Sequence, residues 1–384
     1  MNKYQKFCTG CGLCTTLGKS KLKQDKKGFF YPESNDNIFK DICPISGVHT
    51  KLLDKDDIWG KNEAVYLGWS DHPDIRKKAS SGGILTEVAC YLLKSKKVDA
   101  IIQIGTDPSN PVKTKLFFSM TERDVISHCG SRYGISSPLI ELNKIERGKK
   151  YAFIGKPCDV VALRNYFNIK PEMKETIPYL LSFFCMGLPS DIAQVNLLKR
   201  LNCENCISLD YRGNGWPGFA TAIDEQNNIH QITYDESWGE ILGRDLMPAC
   251  KFCIDGIGEM ADISCGDAWY LTKENKPDFS EHMGRNVVFA RTVQGNMLLN
   301  EMKKENLIFL KEYEKYQVEL PLIQKSQWNR RREMQSRILA MKLLLKSSPS
   351  YNKTVLSKYS RGLSLKDRLR IIISTGKRIL KGKV

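Results

Sequence analysis

The sequence lacks long apolar segments. No stretch approaches the roughly 20 apolar residues that a membrane-spanning helix needs, and the opening residues, MNKYQKFC, lack the apolar core of a secretion signal. These absences predict a cytoplasmic protein, in which clustered cysteines favour metal binding or catalysis over disulfides. No repeat of fixed period is present, which excludes a repeat architecture. At 384 residues, with 41% hydrophobic and 27% charged residues, the chain is typical of a globular protein of two or three domains.

Acidic residues are scarce at the C-terminal end. Residues 331–384 contain fifteen Lys and Arg against Glu333 and Asp367, a net charge of +13 out of +16 for the whole chain. The basicity therefore belongs to a tail and not to a domain-wide face, and no recognised DNA- or RNA-binding motif accompanies it, so nucleic acid is the least favoured partner.

The second half of this tail is amphipathic. One helical face can carry the apolar residues Leu365, Leu369, Ile372, Ile373 and Leu380. Two interpretations remain: a helix that packs on the body or on a second copy of the chain, and a peripheral anchor on the anionic inner face of a membrane. We expect the tail to be dispensable for cofactor binding.

The rest of the chain alternates strand-like and helix-like patterns, which indicates an α/β (α+β) fold with a mixed sheet. We divide the chain into a Cys-rich segment 1–60, two parts of one α/β domain at 61–150 and 151–330, and the basic tail 331–384. Strands are predicted at 65–69, 98–104, 151–154 and 179–184, helices at 81–95 and 157–167, and antiparallel strands within 207–233.

The strongest motif is a cysteine loop near the N-terminus. Cys8, Cys11 and Cys14 form C-x2-C-x2-C, and Cys43 precedes Pro44. Such a loop can wrap three corners of a 4Fe–4S cube, and a distant Cys-Pro can close it, as in bacterial ferredoxins. Zinc is the alternative, but this spacing suits a tetrahedral zinc site less well. The sequence therefore predicts a small ferredoxin-type segment that holds one 4Fe–4S cluster.

Further cysteines suggest a second site without identifying it. Cys158 and Cys185 follow predicted strands, where open α/β folds gather their ligands, and Cys250 and Cys253 form a C-x2-C pair. Alternatives stay open from spacing alone. The pair Cys203 and Cys206 can join Cys250 and Cys253 in a zinc-ribbon-like site, and Cys265 can substitute as a ligand.

Several motifs occur in an order that resembles a known family. They span roughly residues 5–325 and are similar to the beta subunit of coenzyme F420 (deazaflavin) hydrogenases and dehydrogenases, and to related chlorophyllide and divinyl-type reductases. The motifs are Ser80-Ser81-Gly82-Gly83, Gly130-Ser131-Arg132-Tyr133, Gly155-Lys156-Pro157-Cys158, Phe184-Cys185-Met186-Gly187, the stretch from Tyr211 to Gly218, and the stretch from Cys250 to Trp269.

The resemblance implies two 4Fe–4S clusters and FAD. It assigns Cys158, Cys185, Cys250 and Cys253 to the second cluster and gives the Cys203/Cys206 pair no counterpart. A hydroxyl-capped helix start can cradle the FAD pyrophosphate, although an ordinary helix cap looks the same. The candidate flavin contacts are Ser80, Ser81, Gly82, Gly83, Ser131, Arg132 and Tyr133, with Arg212, Asn214 and Asp267 near the flavin ring or the second cluster.

The function expected from these features is electron transfer. A ferredoxin-like donor would pass electrons through two clusters to FAD and then to a small-molecule or sugar-linked substrate, for example in bacterial polysaccharide synthesis. One alternative is an electron-transfer subunit of a larger hydrogenase or dehydrogenase complex. A second alternative is a zinc-stabilised basic interaction protein. A homo-oligomer is compatible with each of these.

Overall fold

The structure, a computed structural model, describes residues 2–53 and 57–382, and its strands form one large sheet and three small ones. In chain order the strands are β1 Leu22–Gln24, β2 Phe30–Pro32, β3 Ala64–Ser70, β4 Ala100–Asp107, β5 Asn110–Ser119, β6 Tyr151–Gly155, β7 Tyr179–Phe183, β8 Cys206–Asp210, β9 Ala220–Asp224, β10 Ile229–Ile232, β11 Ile263–Asp267, β12 Tyr270–Leu271, β13 Pro277–Asp278, β14 Asn286–Ala290 and β15 Ile308–Glu312.

Helices pack around the sheet and form most of the C-terminal end of the chain. The α-helices are α1 Lys3–Lys6, α2 Leu13–Thr16, α3 Phe39–Ile42, α4 Pro73–Lys78, α5 Ile84–Lys94, α6 Glu122–Ser127, α7 Pro157–Ile169, α8 Glu172–Thr176, α9 Asp191–Leu201, α10 Pro248–Lys251, α11 Val293–Lys304, α12 Tyr316–Ile323, α13 Lys325–Leu343, α14 Lys353–Tyr359 and α15 Leu365–Leu380. Short 3₁₀ turns lie at Pro44–Ser46, His49–Lys51, Leu142–Lys144 and Leu242–Arg244, and a π-helix at Asp235–Ile241.

The large sheet is mixed, with strand order β15-β3-β14-β11-β7-β6-β4-β5. Its four central strands, β11, β7, β6 and β4, are parallel, and antiparallel strands extend it on both sides. Parallel strands with both faces covered need continuous apolar residues, which is why Tyr151–Gly155 and Tyr179–Phe183 are apolar runs. The predicted mixed α/β fold is confirmed. Strands from 61–150 and 151–330 share the sheet, so these two parts are one domain.

The predicted elements match the observed ones closely. The strands expected at 65–69, 98–104, 151–154 and 179–184 are β3, β4, β6 and β7, and the helix expected at 157–167 is α7. Residues 207–233 form the antiparallel sheet β10-β9-β8, as predicted.

The N-terminal segment is packed into the body. Its hairpin β1–β2 separates Cys14 from Cys43, and its buried aromatic residue Phe7 contacts Phe252 edge to face at 5.5 Å between ring centroids. Phe7 and Ile45 share one apolar core with Phe252 and with residues of the C-terminal helices. The segment therefore resembles a ferredoxin in its cysteine pattern but depends on the rest of the chain for its core.

The C-terminal helices belong to the same core. They contribute the buried residues Met334, Ile338, Met341, Val355, Leu356, Tyr359 and Ile379. The interpretation of this region as helices packed on the body is therefore correct for α13, α14 and α15. The expectation that residues 331–384 are dispensable is wrong, because removing them would expose this core to water. The last two residues of that range lie outside the described residues.

A buried ion pair ties these helices to the body. The Arg331 guanidinium, which is 1% exposed, lies 2.7 Å from the Glu259 carboxylate and bonds to the Tyr359 hydroxyl. Burial alone would lower the pKa of Arg331, but Tyr359 and Glu259 more than offset this and raise it. Among the helices of residues 2–53 and 57–382, none has the length and apolar character needed to cross a membrane.

This ion pair predicts the effect of one substitution. Arg331→Met should lower the free energy of unfolding by about 3–5 kcal/mol, because it leaves the buried Glu259 carboxylate without its cation. Urea denaturation followed by circular dichroism measures this. The control Arg361→Met changes an exposed arginine in the turn after α14. It should lower the free energy of unfolding by about 0.5 kcal/mol or less. Equal midpoints for the two variants would contradict the structural role of the pair.

Candidate functional site

The four N-terminal cysteines converge on one small cavity. Cys8, Cys11, Cys14 and Cys43 all line it, together with Tyr4 and Phe39 among other residues. The Gly10 N–H donates to Cys8 Sγ at 3.3 Å, the kind of hydrogen bond that stabilises a cluster thiolate.

Local backbone geometry explains the loop. Gly12 has φ +89° and is the N-cap of α2, and a Cβ there would lie 2.9 Å from the Ile140 nitrogen. Only glycine fits this position without displacing the neighbouring backbone. The C-x2-C-x2-C loop is therefore held against residues 139–140 of the main domain, where the Leu139 N–H also donates to the Cys11 carbonyl at 2.8 Å.

The electrostatics of this cavity suit a cationic occupant. Burial raises the pKa of each thiol, and the pKa of Cys43 reaches about 12. The neighbouring thiols Cys11, Cys43 and Cys14 raise the pKa of Cys8 further. A raised pKa means that these thiols ionise readily only when positive charge lies beside them. Four such thiols in one cavity are the ligands that a 4Fe–4S cluster needs, so the residues present fit this cofactor.

Cys158, Cys185, Cys250 and Cys253 also come together. Cys158 lies in the first turn of α7, after β6; Cys185 lies two residues after β7; and Cys250 and Cys253 lie in and just after α10. Burial raises the pKa of all four thiols. Repulsion between the thiols raises the pKa further for three of them: Cys185 and Cys253 act on Cys158, and Cys185 acts on both Cys250 and Cys253. The Leu188 N–H donates to Cys250 Sγ at 3.4 Å. This second group has the same donor chemistry as the first.

The two cysteine groups are neighbours. The Asp159 carboxylate acts on Cys11 of the first group and on Cys158 of the second, in each case raising the pKa of the thiol. Burial raises the pKa of Tyr351, and so does the negative charge of Cys253, Cys43 and Cys158, which belong to both groups. Tyr351 is fixed there by its hydroxyl, which donates to the Phe252 carbonyl at 2.7 Å.

A larger cavity of about 240 Å³ lies beside the second group, at the carboxyl ends of β6, β7 and β11. Cys185 lines it, so the second cysteine group adjoins the cavity directly. Eight of the ten predicted flavin contacts also line it, namely Ser80, Ser81, Gly83, Ser131, Arg132, Tyr133, Arg212 and Asp267.

The start of α5 differs from the predicted hydroxyl cap. The helix begins at Ile84, and its N-cap is Gly83, with φ +80° and no side-chain hydrogen bond to the helix. The Ser80 hydroxyl instead accepts from the Ser131 N–H at 2.6 Å, and the Ser81 hydroxyl donates to the Arg285 carbonyl at 3.0 Å. These serines join loops around the cavity. The helix N-terminus still faces it, because Leu85 and Thr86 of the first turn line the cavity.

Gly82 has a packing role that sequence reasoning did not foresee. A Cβ at this position would lie 2.7 Å from Asn286 Oδ1 and 2.8 Å from both the Asn286 nitrogen and the Gly68 carbonyl oxygen. The glycine therefore lets the loop before α5 lie directly on β3 and β14. Close approach of the sheet is thus a sufficient reason for glycine at this position, and its predicted approach to a phosphate stays a prediction.

Arg132 is occupied by the protein itself. Its guanidinium donates to the carbonyls of Leu209 at 2.8 Å and Pro111 at 2.6 Å and lies 4.9 Å from the Tyr211 ring centroid. Arg132 lines the cavity, as expected of a flavin contact, but its guanidinium is hydrogen-bonded to these loops, so its role toward a flavin stays a prediction. Tyr133 remains on the cavity wall, with its ring 4.7 Å from that of Trp238.

Arg212 and Asp267 form a fixed wall of the cavity. Two bonds of 2.9 and 3.2 Å join guanidinium and carboxylate, and Trp216 Nε1 donates to the same carboxylate at 2.8 Å. Asp267 therefore fixes the side chains of both Arg212 and Trp216. Asn214 lies elsewhere, in a smaller polar pocket that also contains Lys78 and Asp210.

The alternative zinc sites are not assembled. Cys203 and Cys206 belong to an apolar core with Leu197 and Leu209, whereas Cys250 packs in a different core with Phe252. Cys265 lies within β11, where it lines the cavity, and burial raises its pKa. Across residues 2–53 and 57–382, no three His, Cys, Asp or Glu side chains lie close enough to hold a single metal ion. A four-iron cube separates its thiolates farther than one ion does.

Sequence reasoning missed three polar residues around Cys185. Lys156 Nζ lies 2.8 Å from the Asp159 carboxylate and 3.0 Å from the Ser136 hydroxyl, buried between the cavity and the second group. Gln327 and Arg330 donate to the Cys185 carbonyl at 3.0 and 3.1 Å. Lys156 could have been found from its place two residues before a candidate ligand. Gln327 and Arg330 carry no such signal.

The fold is a mixed α/β sheet with a cavity at the carboxyl ends of its parallel strands and grouped cysteines beside that cavity. The chain belongs to the coenzyme F420 hydrogenase/dehydrogenase beta-subunit family. The family's N-terminal model matches residues 65–144, and its C-terminal model matches residues 148–316.

Individual relatives are distant in sequence. Coenzyme F420 hydrogenase subunit beta from Methanosarcina barkeri is 24% identical over 282 residues, covering 71% of this chain and 89% of that protein. The coenzyme F420-dependent sulfite reductase of Methanocaldococcus jannaschii is 24% identical over 331 residues, or 80% of this chain, but the chain spans only 48% of it. A chain of the F420-reducing [NiFe] hydrogenase complex from Methanosarcina barkeri shares the fold, with TM-score 0.60 and 22% identity over 77% of this chain and 98% of that one.

The role of Gly82 predicts a destabilised cavity wall on substitution. Gly82→Ala should lower the free energy of unfolding by about 1–3 kcal/mol, because the added methyl group meets backbone atoms that cannot move independently. The matched change Gly376→Ala adds a methyl whose nearest neighbour is Leu344 Cδ1 at 3.8 Å. Because alanine is favoured over glycine within a helix, this change should raise the free energy of unfolding by about 0.5–1 kcal/mol. Urea denaturation of both variants checks this, and a neutral Gly82→Ala would refute the packing role.

Proposed function

We propose that this protein is an electron-transfer subunit of an oxidoreductase, with two 4Fe–4S clusters and FAD. One observation carries the proposal: two groups of four cysteines and a cavity lie in series. Asp159 and Tyr351 adjoin both groups, and Cys185 of the second group lines the cavity. When bound, the clusters would supply one-electron transfer, and the flavin would exchange one or two electrons.

The names of the relatives favour a subunit over a free-standing enzyme. They include beta subunits of F420 hydrogenases and of an F420-dependent formate dehydrogenase. We therefore expect this chain to exchange electrons with a partner subunit. This function, the first alternative considered from the sequence, is preferred to that of a reductase acting on its own organic substrate.

The residues around each cysteine group have defined tasks. Tyr4, Phe39 and Ile42 keep water from the first group, and the Gly10 N–H stabilises negative charge on Cys8. At the second group Lys156 supplies positive charge beside Cys158 and Cys185. Gln327 and Arg330 fix the Cys185 backbone through its carbonyl oxygen.

The cavity offers two surfaces that suit FAD. Tyr133, Tyr234, Trp238 and Phe184 give it aromatic walls for a flat ring system. The first turn of α5 directs the positive end of an eleven-residue helix toward it, which favours a phosphate group. The cavity volume of about 240 Å³ can hold part of FAD, and the rest of the cofactor would lie toward the open side of the cavity.

A smaller polar pocket favours a second candidate function, a reductase with its own substrate. This pocket, which contains Lys78, Asp210 and Asn214, shares Ser131 and Arg212 with the large cavity. Its polar lining suits a small-molecule or sugar-linked substrate, with a ferredoxin-like protein as the electron donor. Steady-state turnover by the isolated chain would support this function, whereas turnover only with a partner subunit would support the first.

Metal content tests the proposal directly. Anaerobically purified protein should contain about eight iron and eight sulfide per chain. Cys11→Ser and Cys250→Ser should each lower both to about four, because each removes a ligand from a different group. Cys203→Ser, which changes a cysteine buried in a separate apolar core, should leave the iron content unchanged.

The same preparation decides between cofactors. Denaturation should release FAD in roughly equimolar amount, identified by chromatography and absorbance. Stoichiometric zinc without iron would overturn the cluster assignment, and protein that neither contains nor takes up FAD would overturn the flavin.

The position of Asp159 predicts a shift in reduction potential. Asp159→Asn removes a negative charge next to both groups, so reduction, which adds negative charge, becomes easier. We expect both cluster potentials to rise by on the order of 50 mV, measured by redox titration with electron paramagnetic resonance.

A double variant separates charge from structure. Lys156→Gln combined with Asp159→Asn removes both members of the pair and should return the potentials toward the wild-type values. Asp278→Asn, in strand β13 and outside both cysteine groups, is the matched single change and should have no effect. A rise that persists in the double variant would show that geometry and not charge is responsible.

A further inference from the structure

The last helix, α15, exposes much of its apolar surface. It buries Ile371, Thr375 and Ile379 against the body. A second stripe of apolar side chains faces water, with Leu365 80%, Leu369 59%, Ile373 57% and Leu380 75% exposed. At about 100° per residue these four side chains fall within a quarter of the helix circumference, so they form one continuous stripe.

A basic stripe runs beside the apolar one. Lys366, Arg370, Lys377 and Lys381 are exposed and lie about 60–100° further around the helix. Asp367 is the one acidic residue of the helix; its carboxylate lies 3.3 Å from Arg370 and offsets part of that charge. The helix thus has three faces: one against the body, one apolar and exposed, and one basic.

The end of α13 extends this surface. Arg368 bonds to Gln335 at 2.9 Å and Gly376 adjoins Leu344, so α13 and α15 run parallel. The end of α13 therefore lies level with the second half of α15. It adds Leu343 and Leu345, which are 64% and 94% exposed, and the exposed residues Lys342 and Lys346. We call the exposed apolar and basic side chains of 342–346 and 365–381 the apolar–basic face.

We propose that the apolar–basic face binds the surface of an anionic membrane. An interfacial helix places an apolar face among the lipid acyl chains, while flanking lysines reach back to the phosphates, and α15 has this arrangement. Charge favours lipid over a second copy of the chain. The face contains one acidic residue, Asp367, against the exposed cations Lys342, Lys346, Lys366, Arg370, Lys377 and Lys381, so two such faces would repel each other.

The surface is rigidly joined to the candidate redox site. α13 presents Leu343 at one end and, at the other, Gln327 and Arg330, which hold the Cys185 carbonyl. Membrane binding would therefore orient the second cysteine group relative to the lipid surface. This inference goes beyond the proposed function and does not depend on the clusters or on FAD.

Co-sedimentation with lipid vesicles tests the proposal. The full chain should bind vesicles of mixed phosphatidylcholine and phosphatidylglycerol at low salt, and should bind pure phosphatidylcholine vesicles at least tenfold more weakly. Raising the salt from 20 mM to physiological concentration should weaken binding about tenfold, because the attraction is screened.

Two double variants separate the contributions. L369Q/I373Q keeps every charge and K366Q/K377Q keeps every apolar side chain, and each should reduce binding about tenfold or more. Matched controls are Val318→Gln, at a residue 73% exposed on α12, and K303Q/K304Q on α11. Both controls should bind as the wild type does, and unchanged thermal denaturation shows that all variants fold.

Three results would overturn the proposal. The first is no binding to anionic vesicles at low salt. The second is binding that neither double variant weakens. The third is a wild-type dimer in sedimentation velocity that L369Q/I373Q converts to monomer without any vesicle binding, which would assign the face to a second copy of the chain.

Discussion

A buried thiolate is stable only beside positive charge, and eight cysteines of this chain are gathered into two groups that meet this constraint together. Burial raises the pKa of every one of these thiols, and repulsion from neighbouring thiols adds to the shift for six of them, all except Cys14 and Cys185. Neutral thiols tolerate burial, but grouped thiolates would need cations beside them, which agrees with the iron–sulfur centres proposed above. Arg330 and Lys156 supply positive charge to the second group, and a bound cluster would supply the rest.

That requirement explains why distant parts of the chain share one core. The first cysteine loop can approach the second only if residues 2–53 lie on the main domain, and the buried side chains Phe7, Ile45, Phe252 and Met334 join the segments that bring this about. Tyr351 lies between the two groups, and Arg331 anchors the preceding helix to Glu259. The C-terminal helices therefore act as a cover over both cysteine groups.

The residue pattern alone is enough to predict the sheet and the first set of cysteines, whereas the second set was assigned only through the family resemblance. Apolar runs such as Tyr151–Gly155 reveal buried parallel strands directly, and the C-x2-C-x2-C loop has few chemical explanations. Long-range polar contacts are different. The residues next to Arg132 in the sequence do not indicate that its guanidinium donates to the carbonyls of Leu209 and Pro111. Likewise, the residues next to Gly82 do not indicate that Asn286 packs against it. The charge of residues 331–384 suggested a dispensable tail because buried and exposed arginines look alike in a sequence.

The cover over the cysteines also sets an order of events during synthesis. Cys253 completes the second group, but Gln327, Arg330 and Tyr351, which close around it, are translated later. At about 5–20 residues per second, the ribosome needs roughly 5–20 s to add the hundred residues that separate Cys253 from Tyr351. During that interval every cysteine of both groups has been made while their cover has not. A cluster of the kind proposed would therefore find its ligands accessible before the last helices dock and enclosed afterwards.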